Sequence, residues 1–311
     1  MKKSLKKKLM WTGTALLAVL VLFAFGMFLR AAVVNARSKA AFQELSSLVV
    51  RDEAVPAVTV AAATPGPLPP VDVVIPLPPS GLMTEAAAAS STAPASGPGE
   101  TPAPTPTPAP APIETPAPAP TPLPDYAALY ERNSDFFGWI SVAGTNVDYP
   151  VMYNPQKPLQ YLGHDFDGRF SYAGVPYLSP ECDPEGSYFL IYGHHMRDGT
   201  MFAGLLAYED PAFWTEHPTF RCDTRFEHRT YAVVAAFRAR VLTTAERGFR
   251  YYNYSALDDE RTFDEFMTNV RAMAAYDTGV ETAFGDEILT LTTCAYHTEK
   301  GRFVVVAKRV S

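Results

Sequence analysis

The chain has 311 residues, 47% of them hydrophobic and 19% charged, with 26 Lys and Arg against 33 Asp and Glu for a formal net charge of −7. Three cysteines in this length exclude a disulfide-dense scaffold, and about 187 residues after the last proline-rich stretch are enough for one sizeable core. The charge is unevenly spread: from residue 125 onward 17 basic residues face 26 acidic ones, a balance that excludes nucleic acid as partner because phosphate binding needs a basic face.

Residues 1–8 form a basic tail carrying Lys2, Lys3, Lys6, Lys7 and Lys8. The uncharged run 9–29 follows, closed by Arg30, and its twenty-one residues match a hydrocarbon core of roughly 30 Å. It exceeds the about 15 apolar residues usual in a cleaved signal, so it is read as an uncleaved single-pass anchor, although Val34-Asn35-Ala36 offers small residues for cleavage. The lysines before it predict a cytoplasmic N-terminus and an extracellular remainder. Residues 30–55 are mildly helical in composition and predict a juxtamembrane stalk. The next stretch, 56–124, holds 21 of the 29 prolines, many as Ala-Pro and Thr-Pro pairs. Such a segment cannot bury enough apolar surface to fold, and it predicts a disordered, extended linker holding a domain away from the membrane.

The domain 125–311 opens with Tyr126, Leu129 and Tyr130 at helical spacing. Short β-prone runs follow at 139–142, 147–152, 188–192, 230–241, 288–294 and 303–310, punctuated by Gly, Pro and Asp. They predict a mainly antiparallel sheet closed into a barrel. One amphipathic helix is predicted around 257–275, with Phe263, Phe266, Met267 and Val270 on its apolar face and Asp258 or Ser255 as cap. It is inserted between strands, so the domain reads as all-β with added helices.

The run 288–294 ends at Cys294, and a polar loop leads into a second strand that starts at Arg302. Antiparallel pairing of the two places Cys294 beside Arg302. A guanidinium there favours the thiolate and can bind a developing oxyanion, although a lone cysteine is more often a small buried hydrophobe. A second cluster, YFLIYGHHMRDGTMF at 188–202, runs an apolar strand into Gly193, His194 and His195. His164, His217, His228 and His297 compete as candidate bases. Cys182 and Cys222 leave open whether they pair, and a bridge between them still leaves Cys294 free. The spacing of Cys and His gives no zinc site, and no cofactor is expected.

Taken together, TLTTC at 290–294, Arg302 eight residues after the cysteine and YGHHM at 192–196 resemble the sortases, membrane-anchored cysteine transpeptidases of Gram-positive bacteria. The inserted helix, GWISVAGTNVDYPVM at 138–152 and HDFDG at 164–168 resemble the class B members, and the resemblance spans 125–311. It implies an eight-stranded sortase barrel with an N-terminal helix and a helix before the cysteine strand. It further implies Cys294 as nucleophile, His194 as general acid and base, and Arg302 as oxyanion and substrate-positioning group. Thr292 and Tyr192 share strand faces with Cys294 and His194, and Leu162 matches a groove-wall position, so these three are the substrate-binding candidates. Implied partners are exported proteins bearing a C-terminal sorting signal and an amine of a peptidoglycan precursor. One departure is that Ala295 and Tyr296 follow the cysteine, where some class B members carry acids.

Two other wall enzymes fit less well. NlpC-type peptidases place Cys before His in the chain, and L,D-transpeptidases place Arg directly after Cys. A pilin-polymerising sortase with a lysine acceptor remains an alternative within the family. Outside it, the alternative is a membrane-tethered wall-binding module without catalysis.

Overall fold

The computed structural model describes residues 2–49 and 121–311, and among these the β-prone runs form eight strands. In chain order they are β1 (Phe136–Ser141), β2 (Asp148–Met152), β3 (Tyr177–Leu178), β4 (Tyr188–Tyr192), β5 (Thr219–Thr224), β6 (Thr230–Arg240), β7 (Ile288–Cys294) and β8 (Gly301–Arg309). They close into a barrel in the order β1-β2-β3-β4-β7-β8-β6-β5. The expected closed, eight-stranded, mainly β architecture is therefore the one observed.

Antiparallel pairing is the rule, with two exceptions: β2 with β3, and β4 with β7, are parallel. The sequence reading did not include β3 or β5. β3 is only two residues long, and β5 carries Arg221 and Asp223, whose charges mask its alternation. Asp223 is nevertheless buried, because the Tyr126 hydroxyl (2.6 Å), Arg221 (2.8 Å) and His228 (2.9 Å) all reach its carboxylate. The strands β4 and β7 read as continuous apolar or β-branched runs because both of their faces are covered.

The described residues also form four α-helices, α1 (Lys2–Leu48), α2 (Pro124–Arg132), α3 (Pro211–Glu216) and α4 (Glu260–Met273), and three short 3-10 segments. The opening helix expected at Tyr126–Tyr130 is α2. The inserted helix is α4, between β6 and β7. Its cap is Asp259, whose carboxylate accepts from the Thr262 amide at 2.9 Å, rather than Asp258 or Ser255. Phe266 of α4 packs edge-on against Tyr188 of β4, with centroids 5.4 Å apart. The helix thus covers Tyr188 at the start of β4 and also packs beside β6.

The helix α1 runs unbroken past the apolar stretch, and its segment Leu16–Leu48 is long and apolar enough to cross a membrane. Residues 16–30 are exposed throughout, but from Val34 onward buried and half-buried positions recur at 34, 35, 38, 41, 42, 45, 46 and 49. That is the period of one helical face, and it rests on the barrel. Ser38 meets Ser171 at 2.9 Å, the Phe42 ring lies 5.3 Å edge-on from Tyr149, Lys39 pairs with Asp198 at 2.8 Å, and Glu44 takes Arg132 at 2.8 Å. Residues 34–49 of the expected stalk are thus a packed part of the domain. A cavity of about 650 Å³ lies along this seam, lined by Asn35, Lys39, Asp148, Tyr149, Asp198 and Met201 among others. The spacer expected at 56–124 lies outside the described residues up to 120.

Candidate active site

Strand direction brings the chemistry together. β4 and β7 run parallel, so their C-terminal ends lie at the same rim, and β8, antiparallel to β7, begins there. His194 lies two residues past β4, Cys294 is the last residue of β7, and Arg302 is the second residue of β8. Three positions spread over 109 residues of chain converge at one end of the barrel.

Cys294 and Arg302 are paired across the β7–β8 ladder, as the loop length predicts. The Ala295 amide donates to Gly301 at 3.0 Å, and at the far end the Arg309 amide donates to Glu287 at 2.9 Å. With the register unbroken between them, odd-numbered β7 residues make the hydrogen-bonded pairs. Cys294–Arg302 is a non-hydrogen-bonded pair, the kind whose Cα atoms approach to about 4.5 Å and whose side chains sit closest. Gly301 is obligatory beside them, because a Cβ there would lie 2.1 Å from the Ala295 carbonyl oxygen.

Cys294 is half-buried, whereas Cys182 and Cys222 are buried, and all three are free thiols, so no bridge joins the latter two. Burial pushes the Cys182 thiol up to about 11 and raises that of Cys222 further. Both are small core residues, and only Cys294 is partly exposed. The Arg302 guanidinium donates to the carbonyls of Gly301 at 3.0 Å and Lys300 at 3.5 Å, and among the described residues no carboxylate pairs with it. Its charge is left without an acidic partner among the described residues, opposite Cys294.

The His194 ring hydrogen-bonds through Nε2 to the Leu162 carbonyl at 2.8 Å. A carbonyl only accepts, so Nε2 carries the hydrogen and Nδ1 is left to exchange a proton. Leu162 ends a 3-10 turn (Gln160–Leu162), with its side chain 42% exposed. It therefore offers both an exposed apolar side chain and the carbonyl that orients the imidazole. Gly193 lets the chain reach this point: a Cβ on it would lie 2.5 Å from the Phe202 ring, which is fully buried.

Tyr192 is half-buried and stacks on Tyr177, centroids 5.5 Å apart, and burial raises both phenols. Thr292 lies on the expected face but is only 1% exposed. Its hydroxyl meets Tyr251 Oη at 2.7 Å, which sets it in the buried interior rather than at the surface. The Tyr251 phenol is pushed up to about 12 by burial, with the Thr292 bond and the Arg302 charge opposing. Tyr177 likewise responds to Arg302 and Cys294, after burial. Neither tyrosine was among the expected site residues. Tyr177 sits on a strand too short to show a period, and Tyr251 lies in a 3-10 turn (Tyr251–Asn253) of the insertion before α4.

His164, His217 and His228 lie elsewhere, their rings engaged or packed by Gln160, Phe213 and Asp223 respectively. His297 is exposed on the β7–β8 loop. Among the described residues no group of three or more His, Cys, Asp or Glu is placed to hold a metal ion.

A closed barrel of this order, carrying a thiol paired with a guanidinium and a histidine at one rim, defines a cysteine acyl-transfer enzyme. The sequence profile of the Sortase domain matches residues 140–310, more than half of the chain. Sortase B of Listeria monocytogenes is 29% identical over 187 residues, covering 59% of this chain and 73% of that protein. Sortase B of Staphylococcus aureus is 28% identical over 189 residues, covering 60% and 74%. The structure of a Staphylococcus aureus sortase B-substrate complex superposes with a TM-score of 0.53 at 26% identity, over 60% of this chain and 85% of the other. The chain belongs to the sortase family. Within it the chain is a class B-like cysteine transpeptidase of the cell-wall-anchoring kind.

Proposed function

We propose that the enzyme cleaves a C-terminal sorting signal of exported proteins and joins the new acyl end to an amine of a peptidoglycan precursor. The observation that carries this reading is the meeting of Cys294, Arg302 and His194 at one rim, with no carboxylate of the described residues neutralising the guanidinium.

The Cys294 thiolate attacks the scissile carbonyl, forming a C–S bond, and the carbonyl electrons move onto oxygen beside Arg302. His194, as imidazolium, gives its Nδ1 proton to the departing amine as the C–N bond breaks. The Leu162 carbonyl stabilises that cation through Nε2–H. Neutral His194 then takes a proton from the incoming amine, which attacks the thioester and expels the thiolate. Thiolate and imidazolium are thereby restored, and one amide has replaced another. The exposed Leu162 side chain and the stacked Tyr177–Tyr192 pair supply an apolar wall for the signal peptide. The five lysines before the apolar helix favour a cytoplasmic N-terminus, with the barrel on the wall side.

The test uses the full-length chain in detergent with a library of fluorogenic pentapeptides, with and without triglycine. Cleavage is expected from one motif class, with a thioacyl adduct on Cys294 visible by mass spectrometry and consumed by triglycine. Cys294→Ala, His194→Ala and Arg302→Ala should each abolish turnover. A wild-type protein that forms no adduct with any peptide yet binds wall fragments would replace this reading with the tethered binding module.

A further inference from the structure

The β4–β7 ladder has an unusual last rung. Tyr192 pairs with Thr292, and the Gly193 amide donates to the Thr292 carbonyl at 3.1 Å. In a parallel ladder the next donor is the amide two residues on, so the His195 amide is due at the Cys294 carbonyl. The chain does not supply it. It turns away after His194, closing a bridge between His195 and Met201 in which Met201 takes the left-handed φ of 56° and the Phe202 amide returns to the His194 carbonyl. In place of the backbone amide, the His195 side chain reaches the Cys294 carbonyl through Nδ1 at 2.8 Å.

The same junction is stitched on both sides. Thr293 Oγ1 donates to the Gly193 carbonyl at 2.8 Å, the His195 ring packs against Tyr296 with centroids 5.2 Å apart, and Tyr296 Oη donates to the His195 carbonyl at 3.3 Å. Cys294 is the residue at which β7 ends, so without this bond its carbonyl has no ladder partner on the β4 side. The peptide plane between Cys294 and Ala295 is then held on its β8 edge alone, by the Ala295 amide to the Gly301 carbonyl at 3.0 Å.

On the reading that Cys294 is the nucleophile, we propose that His195 is a positioning residue. Its Nδ1–H completes the ladder at the Cys294 carbonyl and fixes the direction in which the thiolate points. His194 and His195 thereby divide the work as opposite tautomers, Nε2–H for the first and Nδ1–H for the second. Asparagine places an amide N–H where histidine has Nδ1–H, so His195→Asn keeps the bond and His195→Ala removes it.

With the full-length chain in detergent and the cleaved pentapeptide, His195→Ala is expected to lower kcat about tenfold at nearly unchanged KM, and to slow iodoacetamide alkylation of Cys294. His195→Asn should recover most of both. In the wild type, 15N spectra of the imidazoles should show neutral His195 protonated on Nδ1 and His194 on Nε2, a measurement that needs no variant to fold. Wild-type kcat in His195→Ala, equal losses in Ala and Asn variants, or an Nε2–H tautomer for His195 would each overturn the proposal. Cleavage that survives Cys294→Ala would overturn the underlying reading instead, so the two failures are distinct.

Discussion

On the proposed mechanism Arg302 acts through geometry as well as charge. Its guanidinium donates to two backbone carbonyls, those of Gly301 and Lys300 just before it in the chain. Arg302→Lys keeps the charge and loses the fork, so it should lower kcat by about 10²-fold in the peptide cleavage assay, short of the complete loss in Arg302→Ala. The three thiols separate by burial: Cys294 alone should react with a thiol reagent in the native protein, and all three after denaturation. Cys182 also carries a pH signature. Its folded pKa, about 11, lies above the ordinary 9.0, so the folded state holds the proton more tightly than the unfolded chain does. The stability this contributes is complete below pH 9 and is lost as the pH rises through 11. Denaturant melts of Cys182→Ala against wild type at pH 8 and pH 11 should therefore show a smaller alkaline loss in the variant.

At the scale of elements, α4 and α1 do different jobs. The helix α4 packs on the barrel, where the fully buried Phe266 meets Tyr188 of β4 and Phe249 and Tyr254 of the preceding insertion. Phe266→Ala should cost about 3–5 kcal/mol of stability, measured by denaturant unfolding. It should also weaken activity, because Tyr251 and its bond to Thr292 belong to the same insertion. The helix α1 packs by one face. Leu45 is 1% exposed in this seam, whereas the Lys39–Asp198 pair at its edge is solvated. Leu45→Asp should detach the segment and lower the melting temperature, and Lys39→Ala should change it little.

For the whole molecule, the docked face of α1 means that the apolar helix and the barrel are joined by packing as well as by the chain. A protease site engineered between residues 56 and 120 tests this directly. After cleavage in detergent, the N-terminal fragment should co-purify with the barrel in the wild type and separate in Leu45→Asp. Separation in both would show that the seam at Ser38, Phe42 and Leu45 does not hold the two together.

Much of the site was readable in the chain because its signals are local. The run 288–294 ends on Cys294, the intervening loop sets the register that brings Arg302 opposite it, and an apolar strand stops at Gly193 just before His194. The apolar helix, α2, α4 and six of the strands follow from hydrophobic period alone. What tertiary structure decided are the relations between distant segments. The parallel β4–β7 pairing, which sends His194 and Cys294 to the same rim, depends on which strands become neighbours, and no local pattern encodes that. The same holds for Thr292 in the buried interior, Tyr177 and Tyr251 beside Arg302, the Leu162 carbonyl under His194 and the imidazole of His195 in the last rung. Each is a contact across many residues of chain, formed by closing the barrel and packing its insertions, so it exists only once the fold does.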